Sequence, residues 1–281
     1  MILIDLTQVL IASLMASTRG GTEPIDENLV RHIALKSLVM YRKKYHKKYG
    51  ELVLADDSYN VWRKDVFPHY KANRKKNRDS DVRDWNLIFD CITIIREELK
   101  NNFPYKYICI SKCEADDIIG TLCEKYGDTE NIMIISGDKD FQQLQRYRNV
   151  RQFSPITKKF IKLTREQAEE YLLDHIIGGD TGDGVPNVLS QDDVFVSGLR
   201  QRPLSKKKRE TIKDPLVMND NEVDRNLERN RSLIDLTYIP NEYKKQILHE
   251  FDNVEVASRS GLLTYFINNR LMDLQESIGD F

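Results

Sequence analysis

The sequence predicts an α/β fold with a mainly parallel central sheet, and two observations lead to it. Four short apolar runs in the first half have the length and the Ile, Val, Leu or Tyr content of buried strands. Helical patterns separate them, and alternating strands and helices form βαβ units with parallel strands. The four runs are ILIDL at 2–6, ELVLADD at 51–57, YKYICI at 105–110 and NIMIISGD at 131–138.

Helical spacing of apolar residues continues through the second half, where strand patterns become rare. Residues 149–164 have the pattern of a short hairpin at the sheet edge. Besides a helix directly after the first strand, the predicted helices cover 25–48, 81–101, 114–126, 165–179, 220–235, 241–250 and 258–275. We therefore expect an α/β domain at 1–164 and a smaller helical domain at 165–281.

The composition is that of an ordinary globular protein, with 31% charged and 40% apolar residues among 281. The N-terminal apolar run lacks the preceding positive charge of a signal peptide, and Asp5 interrupts it. No stretch reaches the roughly 20 apolar residues of a membrane helix. The four cysteines form no CxxC pair, which argues against zinc and for reduced thiols in the cytoplasm.

Acidic residues follow each predicted strand, and more lie in a glycine-rich turn near 180. Parallel strands present their carboxyl ends, where ligands bind, at one edge of the sheet. The acids are Asp5, Asp56, Asp57, Glu114, Asp116, Asp117, Asp138, Asp140, Asp180 and Asp183. Two such charges at ~4 Å repel by about 4 kcal/mol at an effective dielectric near 20, so cations are expected between them.

Oxygen ligands without His or Cys favour hard ions, so we expect Mg²⁺, with Mn²⁺ as a substitute. Ligands on two sides indicate two ions, as in nucleases. Taken singly, each acid has a simpler explanation. Asp5 and Asp138 can cap helices, Glu114 and its neighbours can complement a helix N-terminus, and Asp180 and Asp183 can be turn residues.

Basic residues are concentrated between 41 and 78, where tyrosines, Trp62 and Phe67 interleave with them. Cations neutralise phosphates and rings stack on unpaired bases, so WRKDVFPHYKANRKKNR at 62–78 predicts nucleic-acid contact. For 41–48 a solvated helix face is an equally good interpretation. A second basic run, Lys206, Lys207, Lys208 and Arg209, is interpreted as a loop that touches duplex backbone or solvent. The near-neutral net charge of −1 leaves a nucleic-acid partner open.

The acidic and basic segments together resemble the motif set of the flap endonuclease and 5′-exonuclease family. In order they are LID at 3–5, ADD at 55–57, YKANR at 70–74, EADD at 114–117, SGDKDFQQL at 136–144 and GDTGDGVPN at 179–187. EADD alone is a weak signal, but the ordered set is highly specific. Within that family, the length and the ending SIGDF resemble the 5′-nucleases of T-even-like bacteriophages.

The resemblance implies a PIN-like α/β fold with a helical arch, at about 58–100, over the active site. It assigns Asp5, Asp56, Asp116 and Asp138 to a first metal ion and Asp140 and Asp183 to a second. Glu114, Asp117 and Asp180 would act directly or through water. Seven residues of the arch region are expected to bind nucleic acid: Arg63, Lys64, Tyr70, Lys71, Arg74, Lys75 and Lys76. Of these, Lys71 and Arg74 would act on the scissile phosphate from one helical face.

The implied reaction is phosphodiester hydrolysis from the 5′ end of RNA–DNA and DNA–DNA duplexes, including ribonuclease H activity, which removes RNA primers and trims 5′ flaps in replication. The sequence departs from the family at Gly184 and Asn187, in its expected helix–hairpin–helix. Alternatives are a PIN-type ribonuclease on single-stranded RNA, a binding module without metals, and a phosphatase-like hydrolase. The first would lack YKANR, the second would lack an acid, and the third would need one nucleophilic Asp beside a lysine.

The last residues allow two interpretations. Gln275, Ile278 and Phe281 have the spacing Q-x-x-I-x-x-F, which is similar to peptides that dock onto sliding clamps. Alternatively, Ile278 and Phe281 complete the core beneath the last helix. The family resemblance separately suggests a single-stranded DNA-binding protein as a partner of a monomeric enzyme.

Overall fold

A six-stranded sheet organises the chain in the computed structural model, which describes residues 1–20, 22–81, 83–213 and 220–281. Its strands lie in the order β3-β2-β1-β4-β5-β6, and all neighbours are parallel except β5 and β6. The strands are β1 Ile2–Asp5, β2 Leu52–Ala55, β3 Lys106–Ile108, β4 Ile132–Ile135, β5 Val150–Ser154 and β6 Lys159–Ile161. The predicted mainly parallel sheet and its edge hairpin are confirmed.

The strand order reverses between β1 and β4. From β1 the chain adds β2 and β3 on one side, then returns to place β4 on the other. At such a switch point the connections leave in opposite directions and open a crevice at the carboxyl ends of the strands. Asp5 ends β1, and Asp138 lies three residues after β4, so both are at this crevice.

Each face of the sheet is covered by its own hydrophobic core. Alternate side chains of a strand point to opposite faces, so Ile2 and Ile4 enter the core beneath α1 (Leu6–Ser17) and α2 (Glu27–Tyr49). Leu3 enters the opposite core, beneath α6 (Ala115–Tyr126). Because both faces are covered, the central strands β1, β2 and β4 are apolar along their length, and their polar groups come only at or after their carboxyl ends.

Helices fill the remaining chain mostly where they were predicted. Two boundaries differ for local reasons. Asp84 caps the helix that was expected to begin at 81, so this helix begins at Trp85. Arg270 adopts a φ of +55° and divides the helix that was expected at 258–275. The other helices are α3 Arg63–Val66, α4 Ala72–Asp79, α5 Trp85–Asn102, α7 Arg165–Gly178, α8 Lys206–Lys213, α9 Asn221–Ile234, α10 Asn241–Asn253, α11 Leu262–Asn268 and α12 Met272–Gln275.

The prediction of a loop at 206–209 is wrong, because these residues form the first turn of α8. Ile212, near the end of α8, is buried in a small core with Ile177, Val188 and Val223. One buried apolar contact thus fixes a helix whose other residues are mainly charged. Among the described residues, no helix is long and apolar enough to cross a membrane.

The last three helices, α10 to α12, pack onto the same two cores as the sheet. Phe266 joins the core of α1 and α2, whereas Leu236 and Ile247 join that of α6. The division into domains at residue 165 stays a prediction.

The final residues settle the choice between docking and core packing. The Phe281 side chain is 0% exposed, with its ring centroid 5.0 Å from that of Phe266 and 5.6 Å from that of Phe103. Arg259 also donates a hydrogen bond to the backbone oxygen of Phe281 (2.8 Å). The clamp-docking interpretation is therefore corrected: the aromatic ring that would dock already fills the core.

We predict that Phe281→Ala lowers the free energy of unfolding by about 3–5 kcal/mol, because it removes a fully buried aromatic ring and leaves a cavity. Chemical denaturation monitored by circular dichroism measures this. The control is Met272→Ala, whose side chain is 63% exposed and whose loss should change stability by less than about 0.5 kcal/mol. Equal stabilities for the two variants would contradict the packing described.

Candidate metal centre and nucleic-acid interface

Carboxylates from three elements meet at the switch point between β1 and β4. Asp5 accepts hydrogen bonds from the Gln8 backbone N–H (3.1 Å) and the Ser136 hydroxyl (3.1 Å). The Asp138 carboxylate accepts the Asp140 N–H (2.9 Å). The capping roles considered for single acids are therefore real, but they occupy only part of each carboxylate, which leaves other oxygen lone pairs for a ligand.

Mutual repulsion and burial perturb these acids. Burial, followed by the charge of Asp57, raises the pKa of Asp5 to about 7. Burial and the charge of Asp138 raise the pKa of Asp140 to about 7 and that of Asp116 well above its usual range. A cation among these groups would offset the repulsion between the carboxylates and favour their charged forms, so the residues fit a divalent metal.

Asp57, not Asp56, is the residue after β2 that joins this cluster. Ala55 pairs with Asp5 in the sheet and shares its face, so the next residue, Asp56, points to the opposite face. There Asp56 accepts hydrogen bonds from Tyr107 and Thr7 and forms an ion pair with Arg96 (2.8 Å). Asp56 therefore lies on the sheet face opposite Asp5, and these partners engage its carboxylate.

The Asp57 side chain instead accepts the backbone N–H of Ala115 (2.8 Å), at the first turn of α6. It thereby holds the end of β2 against the helix that carries Asp116. The alternation of side chains along the strands was the signal that could have identified Asp57. Leu3 and Asp5 lie on one face of β1, and Asp57 follows Ala55 on the same face of the neighbouring strand.

Arg63 occupies the interior rather than the DNA-facing surface expected for it. Its side chain is 3% exposed and forms ion pairs with Glu114 (3.0 Å) and Asp117 (2.8 Å). It also donates to the backbone oxygen of Leu233 (2.9 Å). Because two carboxylates neutralise it inside the protein, Arg63 is a structural cation.

Asp117 is the other member of this buried pair. Its side chain accepts hydrogen bonds from the Trp62 indole N–H (3.1 Å) and the Glu114 backbone N–H (2.8 Å), and it is 0% exposed. Those partners and Arg63 surround the carboxylate, which indicates that Asp117 anchors α6 to α3 rather than facing a metal.

Tyr70, Lys71 and Arg74 converge on two acids of the site. The Tyr70 hydroxyl lies 3.0 Å from Glu114 and 2.9 Å from Asp183, and the ring is buried, which corrects its expected role in base stacking. Lys71 forms ion pairs with Glu114 and, at 3.5 Å, with Asp183. Arg74 contacts Asp183 at 2.6 Å. The structure thus brings YKANR and two predicted metal-binding acids together.

The i, i+3 spacing predicted that Lys71 and Arg74 share one helical face. In the structure they do not. Lys71 precedes α4 with a φ of +56°, and its backbone N–H donates to the Asp183 backbone oxygen (2.8 Å). This hydrogen bond fixes the turn before the helix, so Lys71 and Arg74 reach Asp183 from different backbone conformations.

Two glycines shape the turn that carries Asp180 and Asp183. Gly179 has a φ of +68°, and a Cβ there would lie 2.4 Å from the Val185 backbone oxygen. Gly184, where the family usually has Asn, has a φ of +72° and leaves 3.1 Å between a hypothetical Cβ and the His69 backbone oxygen. Both positions favour glycine, and this tight turn brings Asp183 to Lys71.

His175 was missed by the sequence analysis. It lies in the last turn of α7, with Nε2 3.0 Å from Asp180 and Nδ1 3.5 Å from Asp140. The available signal was its position five residues before Asp180, at the end of a helix that leads into the acidic turn.

The exposed cations expected to bind nucleic acid are placed on two surfaces. Lys64 is exposed on α3, and Lys206, Lys207 and Lys208 are exposed on α8. Lys75 and Lys76 belong to α4, but their side chains lie outside the described part of the chain.

Two family models match, and together they cover the chain. Residues 1–172 match the 5′-3′ exonuclease N-terminal, resolvase-like domain, and residues 166–281 match the C-terminal domain of T4 RNase H. The chain is 32% identical to ribonuclease H of Enterobacteria phage T4, over 99% of this chain and 95% of that protein. It is 26% identical to the flap endonuclease Xni of Shewanella denitrificans, over 58% of this chain and 64% of that protein.

Solved structures are similar in fold. The bacteriophage T5 flap endonuclease in complex with DNA and metal ions superimposes with a TM-score of 0.65 and 18% identity, over 90% of this chain and 99% of that chain. The T5 5′-exonuclease with bound zinc ions gives a TM-score of 0.61 at 18% identity, over 89% and 98%. These neighbours confirm the fold.

We predict that Mg²⁺ raises the melting temperature of the metal-free protein more at pH 8 than at about pH 5.5. The folded pKa of about 7 for Asp5 and Asp140 exceeds the ordinary 3.8. Between about pH 4 and 7 these groups therefore take up protons on folding, and the stability that they contribute at lower pH is lost as pH rises through 7. Each protonated ligand weakens cation binding, by about tenfold per pH unit below 7.

Scanning calorimetry at both pH values, with and without Mg²⁺, measures the difference. KCl at matched ionic strength controls for screening. An Mg²⁺ effect of equal size at the two pH values would contradict the assignment of these carboxylates to a cation site.

Proposed function

The chain belongs to the 5′-3′ exonuclease and flap endonuclease family, and we propose that its acidic crevice hydrolyses phosphodiester bonds near the 5′ ends of nucleic-acid duplexes. One observation carries the proposal: buried carboxylates crowd together at the switch point, and the neighbouring acids Glu114 and Asp183 hold a lysine and an arginine beside them. Such a site binds divalent cations and then phosphate, a combination suited to nuclease chemistry.

We further propose that the substrates are RNA–DNA and DNA–DNA duplexes with a 5′ end or flap, so that the enzyme removes RNA primers and trims flaps in replication. The relative named ribonuclease H and the neighbour bound to DNA support this proposal. The phage origin of that relative favours action in the cytoplasm of a bacterial host.

Mg²⁺ is the proposed cofactor, as two ions for which Mn²⁺ can substitute. Asp5, Asp57, Asp116 and Asp138 would hold one ion, and Asp140 and Asp183 the other, with Glu114 and Asp180 beside them. Ions so bound lower the pKa of a coordinated water and stabilise the negative charge that develops on phosphate. Asp57 replaces Asp56 in this set because of the face on which it lies.

Lys71 and Arg74 are the groups proposed to act on the scissile phosphate. Their ion pairs with Glu114 and Asp183 hold both cations at the edge of the acidic crevice. The Lys71 side chain is 15% exposed, so a phosphate at this edge can reach its ammonium group. A cation positioned before reaction can stabilise transition-state charge without reorganisation.

We propose that the enzyme acts as a monomer. A flap or displaced strand is single-stranded, so a single-stranded DNA-binding protein remains the proposed protein partner. The exposed lysines Lys206, Lys207 and Lys208 on α8 would contact duplex phosphates, whose charge they complement.

We predict that Asp138→Asn and Asp116→Asn lower turnover by at least about a thousandfold, because each removes a charged ligand from the proposed first ion. Folding and duplex binding should persist, since neither side chain anchors the core. The assay uses 5′-labelled flap, nicked and RNA–DNA substrates and a single-stranded RNA, with Mg²⁺ or with EDTA. Asp224→Asn, in the first turn of α9, is the control and should retain activity.

Near-normal cleavage by Asp138→Asn would contradict the site assignment. Cleavage of single-stranded RNA, but of no duplex, would instead identify a PIN-type ribonuclease. A protein that binds flaps and cleaves none of the substrates with Mg²⁺ would be a binding module.

We predict that Lys71→Ala lowers kcat by about a hundredfold or more at saturating substrate, because electrostatic stabilisation of the transition state is worth several kcal/mol. Lys64→Ala, on the exposed surface of α3, should raise KM with little effect on kcat. Single-turnover rates over a range of substrate concentrations separate the two parameters. If Lys71→Ala changes only KM, its role is backbone binding.

A further inference from the structure

We propose that His175 supplies a nitrogen ligand to a divalent cation held between its Nδ1 atom and Asp140, which raises the affinity of this position for Mn²⁺ and Co²⁺ more than its affinity for Mg²⁺. The inference rests on the proposed function, because Asp140 belongs to the carboxylate cluster of the same site.

The first support is the grouping of ligand atoms. Asp140, His175 and Asp180 each offer one ligand atom, and these atoms all lie within 4.8 Å of one another. They come from three segments: the short 3₁₀ helix after β4, the last turn of α7, and the glycine-bounded turn that follows it. Each of the three side chains is held by its own segment, so the relative positions of the three ligand atoms are fixed by the fold.

The second support is a pair of buried polar atoms without partners. Nδ1 of His175 and Oδ1 of Asp140 make no hydrogen bond to any described residue, although His175 is 8% exposed. They face each other at 3.5 Å, longer than an ordinary N–H···O hydrogen bond. Two ligands at about 2.1 Å from one ion would be separated by roughly 3.0–3.4 Å, close to this spacing.

The third support is the hydrogen bond on the other side of the imidazole ring. Asp180 lies 3.0 Å from Nε2 and also accepts the Gly182 N–H (2.7 Å). Lys139 pairs with the same carboxylate at 3.2 Å. In the tautomer that has its proton on Nε2, the ring donates a hydrogen bond to the Asp180 carboxylate, and the Nδ1 lone pair is directed at Asp140. A carboxylate that orients a histidine in this way is a common outer partner of metal ligands.

The competing explanation is a protonated His175 that bridges Asp140 and Asp180 as an organic cation. It accounts for the two distances but puts a proton on Nδ1, where a metal bond would form. The two explanations differ in metal preference, because an imidazole nitrogen favours later transition ions, whereas Mg²⁺ prefers oxygen ligands.

The decisive experiment is pulsed electron paramagnetic resonance on the full-length protein loaded with Mn²⁺. A directly bound imidazole gives an echo modulation from ¹⁴N, which is replaced by the ¹⁵N pattern when the protein is made with [¹⁵N]histidine. This isotope change needs no variant and therefore no assumption about folding. His175→Gln should abolish the modulation, whereas His249→Gln, at an exposed position of α10, should retain it.

Bound Mn²⁺ without histidine modulation in the wild type, or modulation that survives in His175→Gln, overturns the proposal. Isothermal titration gives the second measurement: His175→Gln should weaken Co²⁺ binding by about tenfold or more and Mg²⁺ binding by less than about threefold. Equal weakening of both ions also overturns it. If Mg²⁺-dependent flap cleavage persists in the wild type while the nitrogen modulation is absent, the inference fails and the proposed nuclease function stands.

Discussion

Repulsion among carboxylates at the β1–β4 switch point is the constraint on which the site depends. Two unit charges about 4 Å apart repel by roughly 4 kcal/mol at an effective dielectric near 20, and this crevice gathers several. The protein's own cations sort them into two sets. Arg63 and Arg96 form ion pairs with Asp117 and Asp56 in the interior. Among the residues that the structure describes, Asp5, Asp116 and Asp140 have no such arginine partner, and they remain available for metal.

The topology of the sheet explains why so much of the site was predictable. Short apolar runs separated by helices fix a parallel sheet, and a parallel sheet puts the ends of β1, β2 and β4 at one edge. The acids therefore had to meet. The choice between Asp56 and Asp57 depends on which face of the sheet each side chain occupies, and a match to a sequence motif does not consider the face. The alternation of side chains along β1, from Leu3 to Asp5, predicts the face.

Burial of polar and aromatic residues could not be predicted in the same way. Arg63 and Tyr70 lie in a basic, aromatic segment typical of nucleic-acid contact, yet their partners Glu114 and Asp183 are 44 or more residues away along the chain. Phe281 similarly packs on Phe103 across most of the sequence. Local composition cannot distinguish a ring that stacks on a base from one that fills a core, because both present the same residue types.

The same topology separates the two basic segments of the N-terminal half, at 41–48 and 62–78. The run at 41–48 ends α2, which leads into the start of β2, so it lies toward the amino edge of the sheet, away from the acids. There Arg42 pairs with Glu51, and Lys43 pairs with Asp280, as on a solvated helix face. The segments after β2 leave from the carboxyl edge, where Arg74 meets Asp183. Position relative to the strand ends, rather than charge density, therefore decides which cations can serve the acidic crevice.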